Sequence, residues 1–109
     1  MINEENTNDL IIKIVIDIVL YNAIKAMTLF IDGIGYGVED AEINFDDEKE
    51  GYINFVLDVP EIGGVEKLTF QQAYNYFKLA CEQYSEKNPN EEKEITELLV
   101  KFKEKYCKE

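Results

Sequence analysis

The sequence predicts an α+β fold in which a small antiparallel sheet of two to four strands packs against one or two N-terminal helices and two C-terminal helices. Three observations carry that expectation. Residues 10–31 are an apolar stretch interrupted by Lys13, Asp17 and Lys25. Residues 38–59 alternate apolar and polar side chains with a period of two. Residues 70–84 and 95–106 instead repeat apolar side chains three and four apart. With 109 residues the chain is sized for a single domain over 1–109, with residues 1–8 expected as a flexible lead-in.

The first apolar stretch is long enough to invite comparison with a membrane span, but three charges within it favour a helix buried on one face. Its β-branched density leaves a buried strand open as an alternative, which length argues against. Thr7, Asn8 or Asp9 can cap its start, Lys13 and Asp17 share one solvated face four residues apart, and Asn22 marks a bend or a break into two helices. Gly33 is placed to end it. The segment Asp32-Gly33-Ile34-Gly35-Tyr36-Gly37 fits no phosphate-binding loop: its third glycine comes one position too early and no Gly-Lys-Ser/Thr follows. It reads as a turn.

Ile43 and Phe45, then Ile53, Phe55, Leu57 and Val59, mark the inner face of a hairpin whose turn is Asp46-Asp47-Glu48-Lys49-Glu50-Gly51. Tyr52, Asn54 and Asp58 fall on its other face. Pro60 ends the second strand, and Val65 to Leu68 forms a short third strand after Gly63-Gly64. Thr69 and Gln72 have the spacing of a capping box, opening a helix with Phe70, Ala73, Tyr74, Phe77, Ala80, Cys81 and Tyr84 inward. On that face Cys81 reads as a small buried hydrophobe. Asn88-Pro89 caps and starts the last helix, with Ile95, Leu98, Leu99, Phe102 and Tyr106 inward and Lys101, Lys103, Lys105 and Lys108 toward its negative end.

Composition narrows the function classes. The chain has no His, Arg or Trp, which removes His-based triads, His-ligated zinc and the guanidinium fork that grips phosphate. A formal charge of −12 repels polyanions, so no direct nucleic-acid partner and no membrane partner is expected. Cys81 and Cys107 lie in no metal-ligand spacing, and the polar Asn3-Glu4-Glu5-Asn6 start shows no secretory signal, so a cytoplasmic protein with reduced thiols is expected. No cofactor, resident metal or catalytic residue is called, and the free chain is expected to be a monomer or weak dimer.

The charge is unevenly placed: −3 over residues 1–38, −9 over 39–66 and 0 over 67–109. The middle third therefore carries a directed field. One reading is a solvated turn that protects a sheet edge. Another is a divalent-cation site or carboxylate-dependent hydrolase built on Asp46, Asp47 and Glu48, although the EF-hand spacing is absent. The reading that best explains the asymmetry is a docking surface for a basic protein, formed by Asp40, Glu42, Asp46, Asp47, Glu48, Glu50, Asp58 and Glu61, with Tyr52 as an aromatic anchor.

Ile31-Asp32-Gly33-Ile34-Gly35, then Glu50-Gly51-Tyr52-Ile53-Asn54-Phe55, then Tyr74-Asn75-Tyr76-Phe77-Lys78-Leu79-Ala80-Cys81-Glu82-Gln83-Tyr84 before Asn88-Pro89 give the chain a familiar order. Over most of residues 9–106 it resembles the CdiI-type immunity proteins that accompany ribonuclease toxins of contact-dependent growth inhibition systems. The resemblance implies a small α/β protein of the cytosol that binds a cognate basic nuclease domain and blocks it, with no catalysis of its own.

Overall fold

A computed structural model describes residues 9–107 of the chain. The cap candidates Thr7 and Asn8, the lead-in 1–8 and Lys108 lie outside the described residues. The apolar N-terminal stretch is helical and broken, which resolves the alternatives left open by its sequence: α1 is Asp9–Val19, a 3-10 turn covers Leu20–Asn22, and α2 is Ala23–Ile31. Taken together, Asp9–Ile31 is long and apolar enough to cross a membrane. Here Ile11, Ile12, Val15, Ile16, Val19, Met27 and Phe30 are instead buried against the rest of the chain, with Lys13, Asp17 and Lys25 exposed. Gly33 follows with φ +73°, the left-handed conformation that glycine adopts without strain, and its N–H donates to Phe30 O at 2.9 Å.

Four strands follow in an antiparallel meander: β1 Tyr36–Val38, β2 Ala41–Asn44, β3 Tyr52–Leu57 and β4 Gly64–Thr69, ordered β1-β2-β3-β4 in space. The glycine segment is therefore only partly the turn that its composition indicates. Gly35 leads into β1 and Gly37 lies within it, and a Cβ on Gly35 would stand 2.9 Å from Ile43 O of β2. These glycines let one backbone lie close on another.

The register puts Tyr36, Ile43, Phe55 and Glu66 in one row and Val38, Ala41, Leu57 and Gly64 in another, both facing the helices. Gly37, Glu42, Val56 and Val65, with Asn44, Asn54 and Lys67, point to the opposite face. α1 packs across β2 and β3.

The helix α3, Phe70–Lys87, begins with the expected capping box: Gln72 N–H donates to Thr69 Oγ1 at 3.2 Å, and Thr69 N–H to Gln72 Oε1 at 2.9 Å. The next helix does not begin as expected. A 3-10 turn, Pro89–Glu91, precedes α4 at Glu92–Tyr106, and Asn88 makes no side-chain cap there. Its Nδ2 donates backward to Tyr84 O at 3.0 Å, so it satisfies a terminal carbonyl of α3.

Buried apolar residues of α1–α4, β2, β3 and β4 form one cluster. Cys81 is buried on the α3 face, as its position predicts, and burial pushes its thiol up to about 12. Burial also raises the Tyr106 hydroxyl to about 12, and burial followed by the hydrogen bond to Asp9 does the same for Tyr76. Each of these groups ionises more readily in the unfolded chain, so their contribution is whole below about pH 9 and is lost as pH rises toward about 12. The urea midpoint is expected to hold from neutrality to about pH 9 and then fall, together with a late rise in tyrosinate absorbance. An equal midpoint at pH 8 and pH 11 would contradict this account.

Candidate functional site

A meander of antiparallel strands sends alternate connections to opposite ends of the sheet, and that sorts the acidic residues. The β1–β2 turn and the β3–β4 connection share one end. Asp40 and Asp58 meet there, with Asp58 N–H donating to Asp40 O at 2.8 Å, and Glu39 and Glu61 lie on the same two connections. Among the described residues, Glu39 (φ 53°) and Glu61 (φ 78°) are the non-glycine residues with positive φ. A glutamate held in that region costs of order 1–3 kcal/mol, a constraint that the packing of the two connections must sustain. An open pocket of about 480 Å³ lies between the connections, lined by Glu39, Asp40, Glu42 and Asp58 among others.

Asp46, Asp47, Glu48 and Glu50 occupy the β2–β3 connection at the other end, where Glu48–Glu50 is a 3-10 turn and Tyr52 starts β3. The six residues of β3 separate the two ends by about 20 Å, more than the ~8 Å over which salt screens charge at physiological strength. The nine predicted contact residues thus form two electrostatic patches, with Glu42 on the outward face between them. Tyr52 is 39% exposed and pairs across strands with Thr69.

The four β2–β3 acids differ from one another. Asp47 accepts from Lys67 Nζ and from Asn54 Nδ2, the latter at 2.9 Å, and the lysine first and the amide second hold its carboxyl below the usual range. Glu48 Oε1 lies 3.1 Å from where a Cβ on Gly33 would stand, and Tyr106 Oη 3.2 Å from the same point. Glu48 is half-buried beside that turn, whereas Asp46 and Glu50 are exposed. Among the described residues Asp47 is the one acid of residues 39–66 with an ion pair.

Asn54 departs from its expected place. Strand alternation puts it outward, and it is outward, yet it is only 6% exposed. Its Nδ2 donates to Asn44 Oδ1 at 3.0 Å as well as to Asp47, and Asn44 Nδ2 donates on to Glu42 Oε2 at 3.0 Å. Asp46 N–H donates to Asn44 Oδ1 at 3.1 Å. One buried amide therefore ties both sides of the acidic connection to the sheet. Two polar residues ten apart on facing strands at a register pair, Asn44 and Asn54, are the sequence signal that could have found it.

Beside this network runs a groove of about 410 Å³, lined by Gly33, Gly35, Tyr36, Gly37, Glu42, Asn44, Phe45 and Asp46. A larger open groove, about 710 Å³, lies between the 3-10 break after α1 and the end of α3, with Asp17, Tyr21 and Tyr84 on its walls. The cation-site reading required Asp46, Asp47 and Glu48 to converge. Among the described residues no group of three His, Cys, Asp or Glu side chains is arranged to hold a metal ion.

Fold and charge define a class: a small acidic two-layer α+β protein with helices on one side of its sheet and carboxylates gathered on the connections at both ends of that sheet. The chain belongs to the CDI immunity protein family, whose model matches residues 7–99. No curated protein and no solved structure gives a match.

Proposed function

We propose that this protein binds a ribonuclease toxin domain of a contact-dependent growth inhibition system in the cytoplasm and neutralises it by stoichiometric association, through the acids of residues 39–66 and without chemistry of its own. Membership of the CDI immunity protein family supports a toxin as the partner. The observation that carries the surface is the set of carboxylates around the sheet, of which only Asp47 has a lysine within ion-pair distance among the described residues.

A nuclease holds RNA phosphates with basic side chains. Carboxylates without internal counter-ions attract those same side chains, accelerate encounter and accept their hydrogen bonds. The protein so described needs no cofactor, does not touch nucleic acid and is a monomer or weak dimer until it meets the toxin.

Coexpression with a cognate toxin domain of a contact-dependent growth inhibition system tests this. A one-to-one complex is expected on size exclusion with light scattering, together with loss of RNA cleavage at equimolar ratio. Cleavage that continues unchanged with the protein in excess would overturn the proposal.

A further inference from the structure

The two acidic ends of the sheet are not alike, and we infer that the end between the β1–β2 turn and the β3–β4 connection receives an apolar side chain of the partner flanked by lysine or arginine. This rests on reading the partner as a basic protein, and it assigns the place and the chemistry of its grip.

The apolar component comes from the strand register. Val56 and Val65 are cross-strand partners on the face away from the helices, and with Val59 and Pro60 they line the hollow of about 480 Å³ at that end. Val65 is 57% exposed, and Ile62, on the connection bordering the hollow, is 49% exposed. Both stand outside the core cluster. Covering them with a partner takes apolar surface out of water, the main driving force of association. The walls are also set in advance. Asp58 N–H donates to Asp40 O and Gly63 N–H to Val59 O, both at 2.8 Å, and a Cβ on Gly63 would press on the backbone of Leu57 and Val59. An entering side chain therefore meets a surface that does not have to be ordered first.

Charge selects the occupant. Glu39, Asp40, Glu42 and Asp58 are part of the lining, and among the described residues no lysine is. Lys67, outward on the neighbouring row, is drawn to Asp47 at the other end. A neutral apolar segment would cover these carboxylates and leave them unpaired. A second copy of the chain, with its charge of −12, would bring the same acids against them across a two-fold axis. Lysine or arginine beside the apolar side chain supplies the missing donors. At the β2–β3 end the balance differs, because Asp47 already has Lys67 and Glu48 is half-buried.

The test is an NMR titration of the ¹⁵N-labelled full chain with three capped tripeptides: N-acetyl-Lys-Leu-Lys amide, N-acetyl-Lys-Ser-Lys amide and N-acetyl-Glu-Leu-Glu amide. Saturable shifts are expected at the amides of Glu42, Val56, Ile62 and Val65 with the first, and at least ten-fold weaker binding with the other two. The Ile62→Ser/Val65→Thr variant, which keeps a branched residue in the strand, is expected to bind the first peptide about ten-fold more weakly with the parent's circular dichroism spectrum, and Leu79→Ser on α3 to bind it like the parent. Should the pair disturb the sheet, Ile62→Ser alone, on the connection, is expected to cost about three-fold.

Equal binding of Lys-Ser-Lys would reduce the grip to charge, equal binding of Glu-Leu-Glu would reduce it to apolar contact, and shifts confined to the β2–β3 connection would move it to the other end. Each of these overturns the inference, as does a variant that titrates like the parent. A dimer of the free chain that the double variant dissolves would make a second copy the occupant and overturn it too. The cognate toxin domain separates this failure from that of the proposed function. A double variant that binds toxin as tightly as a parent that does neutralise it refutes the hollow alone. A parent that fails to neutralise refutes the toxin as the source of the segment, and the peptide titration still decides whether the hollow takes an apolar side chain between cations.

Discussion

Replacing Phe77 by alanine is expected to lower folding stability by about 3–5 kcal/mol, the cost typical of deleting a fully buried aromatic ring. Phe77 on α3 is 0% exposed, and its ring meets those of Phe30 at 5.3 Å, Phe55 at 5.8 Å and Phe102 at 5.3 Å. Those partners come from α2, β3 and α4, so one side chain joins the sheet to three helices. Against a total stability of about 5–15 kcal/mol, that loss is a large fraction of the whole. Leu79, two residues on and 59% exposed, is the comparison: Leu79→Ala should stay within about 0.5 kcal/mol of the parent. Urea unfolding followed by circular dichroism measures both, and a Phe77→Ala midpoint close to that of Leu79→Ala would show that the ring cluster is not the centre of the core.

Phe77 was legible before any coordinates because a helical face repeats every three to four residues over more than ten positions, and its neighbours Ala73, Cys81 and Tyr84 fall on the same stripe. The capping box at Thr69 was legible for a different reason: both partners of its hydrogen bonds lie within three residues. β1 was not. Tyr36-Gly37-Val38 offers too short an alternation, and the glycines that suggest a turn also allow close strand packing, a distinction that depends on β2. Asn88 failed similarly, because a side chain between two helices can serve either, and the carbonyl of Tyr84 won over the amides of the following turn.

The candidate site shows the same division. Charge density along residues 39–66 is a property of the sequence, and it singles out the segment on which the contact surface is proposed. Its division into two ends follows from strand direction, which local patterning does not reveal until the meander is known. The roles within the segment depend on contacts distant in sequence: Asp47 is engaged by Lys67, twenty residues away, and Glu48 lies beside a hydroxyl from α4. Acids that look alike in sequence thus divide into structural carboxylates and free ones.

That division sets how the acidic surface must be tested. Reversing Asp46, Asp47, Glu48 and Glu50 together would remove the Lys67 and Asn54 partners of Asp47 and put a cation beside the Gly33 turn, so loss of protection could come from damage to the fold. Reversing Glu42, Asp46, Glu50 and Asp58 to lysine avoids both, since these are exposed and unpaired with lysine among the described residues. The net charge changes by the same amount when Asp17, Glu86, Glu97 and Glu104, exposed on the helices, are reversed instead. If placement of charge rather than its total drives recognition, the sheet-side variant is expected to lose a hundred-fold or more, roughly, in association rate and to lose protection of cells expressing the toxin domain. The helix-side variant should still protect, and both should keep the parent's circular dichroism spectrum. The parent's rate should fall steeply with added salt, and that of the sheet-side variant should not, because screening acts only on an attraction that is present. Equal losses from the two variants would assign the effect to total charge, and full protection by the sheet-side variant would take the toxin off these carboxylates altogether.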